Sequence, residues 1–322
     1  YLSVRLCMKQ LFKYMSEPRN FFEQGFIRLS QLSALNDPFE ASFCKQSLEE
    51  LASHFDEPMA LTFQDGSMSF SDYVETRMHN VGVISFSENK ENLLMWAHYA
   101  DEHRGIAAGI GVFPNQQSIF ANLFRADSLL NTSLFDSSPF DGKPKPVSYR
   151  KGLRYKNDKF DYDYSNISAE SADRILYEVF MQKSDEWIYE QEHRVVLRLE
   201  QSDRVIIPAL ELIGNVRTRE IIASTGCGVE LTGGRYQIDL YKIQEDAIRV
   251  SIAIELTKLS KDPRTTYLMR LDSSAINNCL IGLKSTVTKE QACVGHAVST
   301  GYLDVWKANK NSDYYSLEFE QI

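Results

Sequence analysis

Short blocks of apolar residues, many of them alternating with polar ones, predict a chain built mainly of strands. Such blocks have the length and the β-branched or aromatic content of strands, and turn-forming residues separate them. They lie at 11–14, 26–30, 81–87, 106–112, 147–149 and 279–283. The pieces at 205–207, 220–223 and 236–240 are expected to be strands or short helices. Two further alternating blocks, 304–308 and 314–319, predict a closing hairpin.

Other segments carry apolar residues at helical spacing. The clearest is 91–103, where Ser87 or Asn89 is the predicted N-cap and one face carries Leu93, Trp96, Ala97 and Ala100. Segment 169–184 predicts a second amphipathic helix, with Ile175, Leu176, Val179 and Phe180 facing inward. Helices are also predicted at 18–25, at 45–80 with a break at 65–66, and at 288–301. The last of these opens with a capping box of Thr288 and Gln291.

The acidic stretch at 185–194 leads into the β-prone run at 195–199 and is predicted to be a strand. Alternation then places Glu190, Glu192 and Arg194 on one face, and Tyr189, Gln191 and His193 on the other. Two interpretations stand: a solvated edge with one ion pair, or a functional site where a substrate or cation meets both carboxylates. In the first, Arg194 pairs with Glu190 or Asp37 and joins the strand to the Asn-Asp-Pro turn at 36–38.

These elements predict an α+β fold. We expect a single mixed domain over 1–322, with a central, largely antiparallel sheet and flanking helices. The glycine-separated pieces at about 200–270 are expected to be an elaboration of that domain.

Composition narrows the classes of function. The chain has 43% hydrophobic and 25% charged residues, which is ordinary for a globular protein. Its five cysteines are scattered, and no apolar run is long enough to span a bilayer, so we expect a cytoplasmic protein with no membrane partner. The net charge of −9 argues against non-specific binding to the nucleic-acid backbone.

Two local patterns resemble known sites without matching them. His98 and His103 are five residues apart, which does not put both on one helix face, so no metal site is predicted there. The Gly109-x-Gly111 pair has no third glycine and no following helix, so it does not predict a dinucleotide loop.

Three patches together resemble a bacterial family of unknown function. They are Lys13-Tyr14 with the Asn36-Asp37-Pro38-Phe39-Glu40 turn, then Ser85-Phe86-Ser87 with Met95-Trp96-Ala97-His98-Tyr99-Ala100, then Trp187-x-Tyr189-Glu190-x-Glu192-x-Arg194. With the C-terminal strands, this resemblance extends over nearly the whole chain except about 200–270. The family itself implies no activity.

The order of the patches is also similar to that in ADP-ribosyltransferases. Those enzymes carry a basic or histidine residue on a first strand, then Ser-x-Ser, then a Glu or Glu-x-Glu on a later strand. The resemblance implies NAD as co-substrate, Glu192 as the catalytic carboxylate and Glu190 as its assistant. It implies that the cofactor is bound by Lys13, Tyr14, Ser85, Ser87, Asn36 and Tyr99.

We therefore expect an NAD-consuming effector in bacterial stress or phage defence, with a protein or nucleic acid as acceptor. One alternative is a metal-assisted nuclease or phosphoesterase, with Asp37, Glu40, Glu190 and Glu192 around a divalent ion. A second is a non-enzymatic sensor or interaction module that binds a partner through loops at 113–165. The sequence leaves the oligomeric state open.

Overall fold

The computed structural model describes residues 9–18, 21–53, 68–112, 123–125, 127–128, 139–153, 169–293 and 303–322. Most of the predicted strands lie within these ranges. The predicted break at 65–66 and most of the loops at 113–165 lie outside them.

The described strands form one large, mostly antiparallel sheet and one small parallel pair, which confirms the predicted fold class. The strands are β1 Lys9–Met15, β2 Phe26–Gln31, β3 Val81–Ser87, β4 Ile106–Val112, β5 Lys145–Pro146, β6 Ser148–Arg150, β7 Gln182–Ser184, β8 Glu192–Arg198, β9 Arg204–Ile207, β10 Gly228–Glu230, β11 Tyr236–Asp239, β12 Thr266–Arg270, β13 Ile276–Ile281, β14 Asp304–Lys310 and β15 Leu317–Gln321.

The main path of the sheet runs β10-β11-β9-β12-β2-β3-β1-β4-β13-β14-β15, and β8 pairs with both β3 and β5. Within this sheet only β13 and β14 pair in parallel among the described strands, and β6 and β7 form the separate parallel pair. The region at 200–270 supplies β9 to β12, so these strands continue the same sheet.

The helices are α1 Phe21–Gln24, α2 Lys45–Ala52, α3 Phe70–Met78, α4 Leu93–Tyr99, α5 Ala169–Phe180, α6 Val216–Thr225, α7 Asp246–Thr257 and α8 Lys289–Cys293. The capping box of Thr288 and Gln291 forms as predicted. Among the described residues, no helix has the length and apolar character needed to cross a membrane.

The predicted helix at 91–103 is shorter in the structure, because both of its ends differ from the prediction. Asn92, rather than Ser87 or Asn89, caps α4 by accepting hydrogen bonds from two backbone N–H groups. The helix ends at Tyr99 because residues 101–103 adopt left-handed backbone angles, with φ of 46°, 51° and 72°. Leu93, predicted to face the core, is exposed, and Trp96 is fully buried.

The acidic stretch is not one continuous strand, so the predicted alternation from Glu190 is wrong. Residues Asp185–Glu190 form a 3₁₀ helix, whose first turn Ser184 caps by accepting a hydrogen bond from Glu186 N–H. Gln191 then takes a left-handed conformation with φ of 45°, and β8 begins only at Glu192. Glu192 and Arg194 share a strand face as predicted, whereas Glu190 belongs to the preceding helix.

Smaller corrections concern the ends of elements. The helix predicted at 169–184 ends at Phe180, because residues 182–184 pair with β6 instead. Residues 220–223, left open as strand or short helix, lie within α6. Asp272 caps the turn before β13 by accepting a hydrogen bond from the Ser274 backbone N–H.

Strand β3 divides the sheet. One of its edges pairs with β8 along its whole length, from Val81 to Ser87. Among the described residues, its other edge pairs with β2 at Gly82 and Val83 and with β1 at Ser87. The edge between these pairings is therefore open. Lys13 occupies part of this gap, where its Nζ donates to the Ser85 carbonyl at 3.0 Å.

The two faces of the sheet are covered differently. Helices α6 and α7 pack on the face that carries Ile27, Leu29 and Ile84. On the opposite face, α2, α3 and α5 pack over one part of β3 and β8, and α4 packs with Trp96 over β1 and β4. The gap beside β3 opens between these two groups of helices.

Candidate functional site

A cavity of about 200 Å³ lies at the gap beside β3. Side chains from β1, β2, β3, β8, α4 and the turn after β2 line it. All the predicted site residues are among them: Lys13, Tyr14, Asn36, Ser85, Ser87, Tyr99, Glu190 and Glu192. The structure thus brings the three sequence patches together, and the roles of these residues in binding and catalysis stay predictions.

Four buried charged side chains line one wall of the cavity, and a fifth, Arg194, contacts two of them. Lys183 Nζ lies 2.6 Å from Glu190 Oε2 and 3.2 Å from Glu192 Oε2, and it is 3.5 Å from Glu40 Oε1. Arg194 completes the group, which we call the carboxylate cluster: Glu40, Lys183, Glu190, Glu192 and Arg194. All five are at most 8% exposed. The hypothesis of a solvated edge is therefore wrong.

Arg194 holds two of the carboxylates by paired hydrogen bonds. It donates to both oxygens of Glu40, at 2.8 and 2.6 Å, and to both oxygens of Glu192, at 2.7 and 3.1 Å. Its predicted partners, Glu190 and Asp37, are not the ones it contacts. The predicted link between the acidic strand and the Asn-Asp-Pro turn does form, but through Glu40. Two-point guanidinium contacts fix the orientation of both carboxylates.

The pKa values of Glu190 and Glu192 move in opposite directions. Burial acts to raise the pKa of Glu192, but the charges of Arg194 and Lys183, with hydrogen bonds from Arg194 and Ser85, lower it to about 2. Burial raises the pKa of Glu190 despite the opposing charge of Lys183. One cavity therefore presents a carboxylate that stays ionised and a second that is a better proton acceptor.

Lys13 brings to the cavity an ammonium group whose pKa lies below the usual value for lysine. Burial, with a smaller effect of the positive charge of Arg28, lowers its pKa to about 8 against the attraction of Glu192. Near neutral pH the ammonium group is thus still mostly protonated. Unlike a guanidinium, it offers no planar pair of donors to a ligand.

Hydrogen bonds hold the remaining predicted residues in place, and two of these bonds go to Glu190. Tyr99 donates its hydroxyl to Glu190 Oε1 at 2.6 Å and receives a hydrogen bond from Asn36. Ser87 donates to the Glu190 carbonyl at 2.7 Å. Tyr14 donates to the Asn89 carbonyl at 2.6 Å and packs edge-on against Trp96, so its ring is a fixed wall of the cavity.

Sequence reasoning missed Lys183 as a member of the site. It lies on β7, and the pairing of Tyr149 with Lys183 sets its position beside β8. Tyr149 in turn accepts a hydrogen bond from the Glu192 backbone N–H at 2.8 Å. No local motif marks Lys183: Glu190 and Glu192 follow it in the chain, but a 3₁₀ helix and a left-handed residue set their positions, and Glu40 comes from a distant turn.

The metal-assisted alternative finds only part of its ligand set here. Glu40, Glu190 and Glu192 converge, whereas Asp37 accepts a hydrogen bond from the Phe39 backbone N–H in its own turn. Arg194 and Lys183 already donate hydrogen bonds to the carboxylate oxygens of these three glutamates, which are the atoms that a divalent ion would need as ligands. Within the described ranges, no group of three or more His, Cys, Asp or Glu side chains is arranged to hold a metal ion.

Comparison with known proteins gives one match. Residues 95–195 match a protein family of unknown function, DUF2971. The match contains the 95–100 part of the second patch and the whole third patch, which confirms the predicted resemblance for this part of the chain. It does not reach Ser85-Phe86-Ser87, the turn at 36–40 or Lys13-Tyr14. No curated protein and no solved structure matches the chain.

Proposed function

We propose that this chain binds NAD and breaks the bond between nicotinamide and ribose, as ADP-ribosyltransferases do. The observation that carries the proposal is the pair of carboxylates on one cavity, Glu192 and Glu190, with pKa values displaced in opposite directions. This is the arrangement that a reaction with a cationic transition state and a proton to remove would use.

In the proposed reaction, the bond between ribose C1′ and the nicotinamide nitrogen breaks. Its electron pair goes to nicotinamide, which leaves as a neutral molecule, and positive charge develops on the ribose. Glu192 stays ionised beside that charge and stabilises it. The Ser85 hydroxyl is hydrogen-bonded to Glu192, and a ribose hydroxyl can take that place.

Glu190 is assigned the second role. An acceptor hydroxyl or amine, or water, attacks C1′ and must lose a proton. The raised pKa of Glu190 makes it the stronger base of the two, and Tyr99 and Lys183 hold its carboxylate in position. The Tyr14 and Tyr99 rings, which line the same cavity, offer apolar surface to the nicotinamide ring.

The size of the cavity supports binding of one end of the dinucleotide. Its 200 Å³ is below the roughly 300–1,000 Å³ that pockets for whole small ligands usually have. Nicotinamide and its ribose are thus assigned to the cavity, and the rest of NAD extends outside it. An effector in bacterial stress or phage defence is the proposed context, because consuming NAD or modifying an acceptor would arrest growth.

The test is incubation of the protein with NAD labelled on its adenine, with and without bacterial protein and nucleic acid. Nicotinamide release with label on a macromolecule supports a transferase, and release with free ADP-ribose supports cleavage by water. If nicotinamide is not released with any acceptor and NAD does not raise the melting temperature, the proposal is wrong.

A further inference from the structure

A second cavity, of about 330 Å³, lies beside the Asn-Asp-Pro turn and the strand pair β6 and β7. Glu40 lines the first cavity, whereas Phe39 and Ser42 line the second, so the turn separates the two. Lys183 belongs to the lining of both. The second cavity therefore adjoins the carboxylate cluster through one shared residue.

The register of β6 and β7 determines which side chains belong to the second cavity. Ser148 pairs with Gln182, and Arg150 pairs with Ser184. Strand alternation puts these side chains on one face of the pair and the Lys183 side chain on the other. Arg150, Gln182 and Ser184 line the second cavity, whereas the Lys183 ammonium group contacts the carboxylate cluster. The two cavities thus lie on opposite faces of this strand pair.

The charge around the second cavity is positive. Arg150 and Lys151 line it and are both exposed, and no acidic side chain is among the described residues of its lining. The chain as a whole has a net charge of −9, so the sign of the charge is reversed here. Both side chains can donate hydrogen bonds to an anion, and the Arg150 guanidinium can contact two oxygens of one phosphate.

Gln182 gives the lining a hydrogen-bond acceptor without a partner. Its side chain is 8% exposed, and its Nε2 donates to the Gly152 carbonyl at 2.8 Å. That bond fixes the orientation of the amide, because the opposite orientation would place its oxygen against a carbonyl oxygen. Gln182 Oε1 is buried and receives no hydrogen bond from the part of the chain that the structure describes. An unpartnered buried acceptor is costly, and a ligand that donates an N–H group to it would remove that cost.

Phe39 adds a flat apolar wall to the second cavity. Its side chain is 68% exposed, and the Asp37 carboxylate, which accepts a hydrogen bond from the Phe39 backbone N–H, holds this part of the turn in place. An aromatic ring beside cationic side chains is a combination by which proteins bind nucleotides, since the base stacks on the ring and the cations contact phosphate. The volume lies within the roughly 300–1,000 Å³ of pockets for small ligands.

We propose that the second cavity binds a nucleotide whose base carries an amino group. The phosphate contacts Arg150 and Lys151, the base packs against Phe39, and the amino group donates to Gln182 Oε1. The adenylate half of NAD and a separate nucleotide such as AMP share this chemistry. The inference does not depend on the proposed reaction, because the two carboxylates assigned to catalysis line the first cavity and not the second.

Calorimetry of AMP binding tests the proposal without any reaction. Lys151→Gln removes a phosphate contact and Phe39→Leu removes the ring, and each is expected to weaken AMP binding about tenfold. Gln182→Met retains the size of the side chain but removes the acceptor, and should weaken AMP binding about fivefold. The matched control is Lys258→Gln, since Lys258 is an exposed lysine that directly follows α7 and does not line the cavity. Adenosine and inorganic phosphate should each bind more weakly than AMP.

ADP-ribose identifies the source of the nucleotide. If Lys151→Gln weakens ADP-ribose binding as much as AMP binding, the second cavity holds the adenylate half of NAD. If this variant weakens AMP binding alone, the cavity holds a separate nucleotide.

Folded Glu192→Gln separates this inference from the proposed function. Glu192 does not line the second cavity, so this variant should bind AMP as tightly as the wild type, whether or not NAD is cleaved. The inference is overturned if AMP does not bind, if it binds all three cavity variants as tightly as the wild type, or if folded Glu192→Gln loses it. Absence of nicotinamide release with AMP binding retained would refute the reaction and leave the nucleotide site in place.

Discussion

Replacing Lys183 by methionine removes the positive charge that three buried carboxylates share. In the wild type, Glu40, Glu190 and Glu192 face Lys183 and Arg194, so three negative charges meet two positive ones. Methionine retains most of the volume of the side chain but leaves Arg194 as the single cation of the cluster. Removing one partner of a buried ion pair costs about 3–5 kcal/mol when the other charge stays in place.

The folded variant can avoid part of this cost by protonating Glu190, the carboxylate whose pKa is already raised. The cost of protonation is about 1.4 kcal/mol for each pH unit above the unfolded pKa of about 4.3. It is thus about 1 kcal/mol at pH 5 and about 5 kcal/mol at pH 8. Since the folded variant then binds one more proton than the unfolded chain, its stability falls as the pH rises.

Urea denaturation of Lys183→Met and of the wild type at pH 5 and pH 8 measures the effect. We expect a loss of about 1 kcal/mol at pH 5 and of about 3–5 kcal/mol at pH 8. The matched control is Lys45→Met, which removes an exposed lysine paired with Glu75 and should change stability little at either pH. A loss at Lys183 that equals the control, or that does not change with pH, would refute the account of the carboxylate cluster.

Three other changes test separate parts of the structure. Tyr99→Phe removes a hydrogen bond to ionised Glu190, so the pKa of Glu190 should rise and the acidic limb of the rate profile should move to higher pH. ADP-ribose should bind more weakly at pH 9 than at pH 7, because Lys13 has a pKa of about 8 and loses its charge over this range, and Lys13→Met should flatten that dependence in calorimetry. Gly105→Ala should lower stability by about 2 kcal/mol in urea denaturation, because its Cβ would overlap the Met15 carbonyl.

The sequence predicted the strands whose patterns are continuous and apolar. The ranges predicted for β3 and β4 agree with the structure, because nearly every residue in them is buried and no charged residue interrupts either run. The order of the three patches along the chain led us to assign Lys13, Ser85 and Glu192 to one site, and all three line the cavity. The pairing of β3 with β8 then aligns Ser87 with Glu192.

What the sequence did not predict depends on backbone conformations and long-range pairings. Gln191 takes a left-handed conformation that ordinary residues rarely adopt, so strand alternation failed at Glu190. Lys183 joins the cluster through β7 and has no local signal. Glu40 belongs to a turn that the sequence singled out, but its pairing with Arg194 was not predicted.

The most direct test of the central claim is the rate of nicotinamide release from NAD by Glu192→Gln, compared with the wild type and with Glu186→Gln. Glu186 is an exposed carboxylate of the same acidic stretch and does not line the cavity. We expect Glu192→Gln to lower kcat by about 10²–10³ or more, as the loss of one electrostatic stabiliser does, and Glu186→Gln to retain the wild-type rate. Unchanged nicotinamide release by folded Glu192→Gln, or an equal loss in both variants, would contradict the assignment of this cavity as the site of reaction.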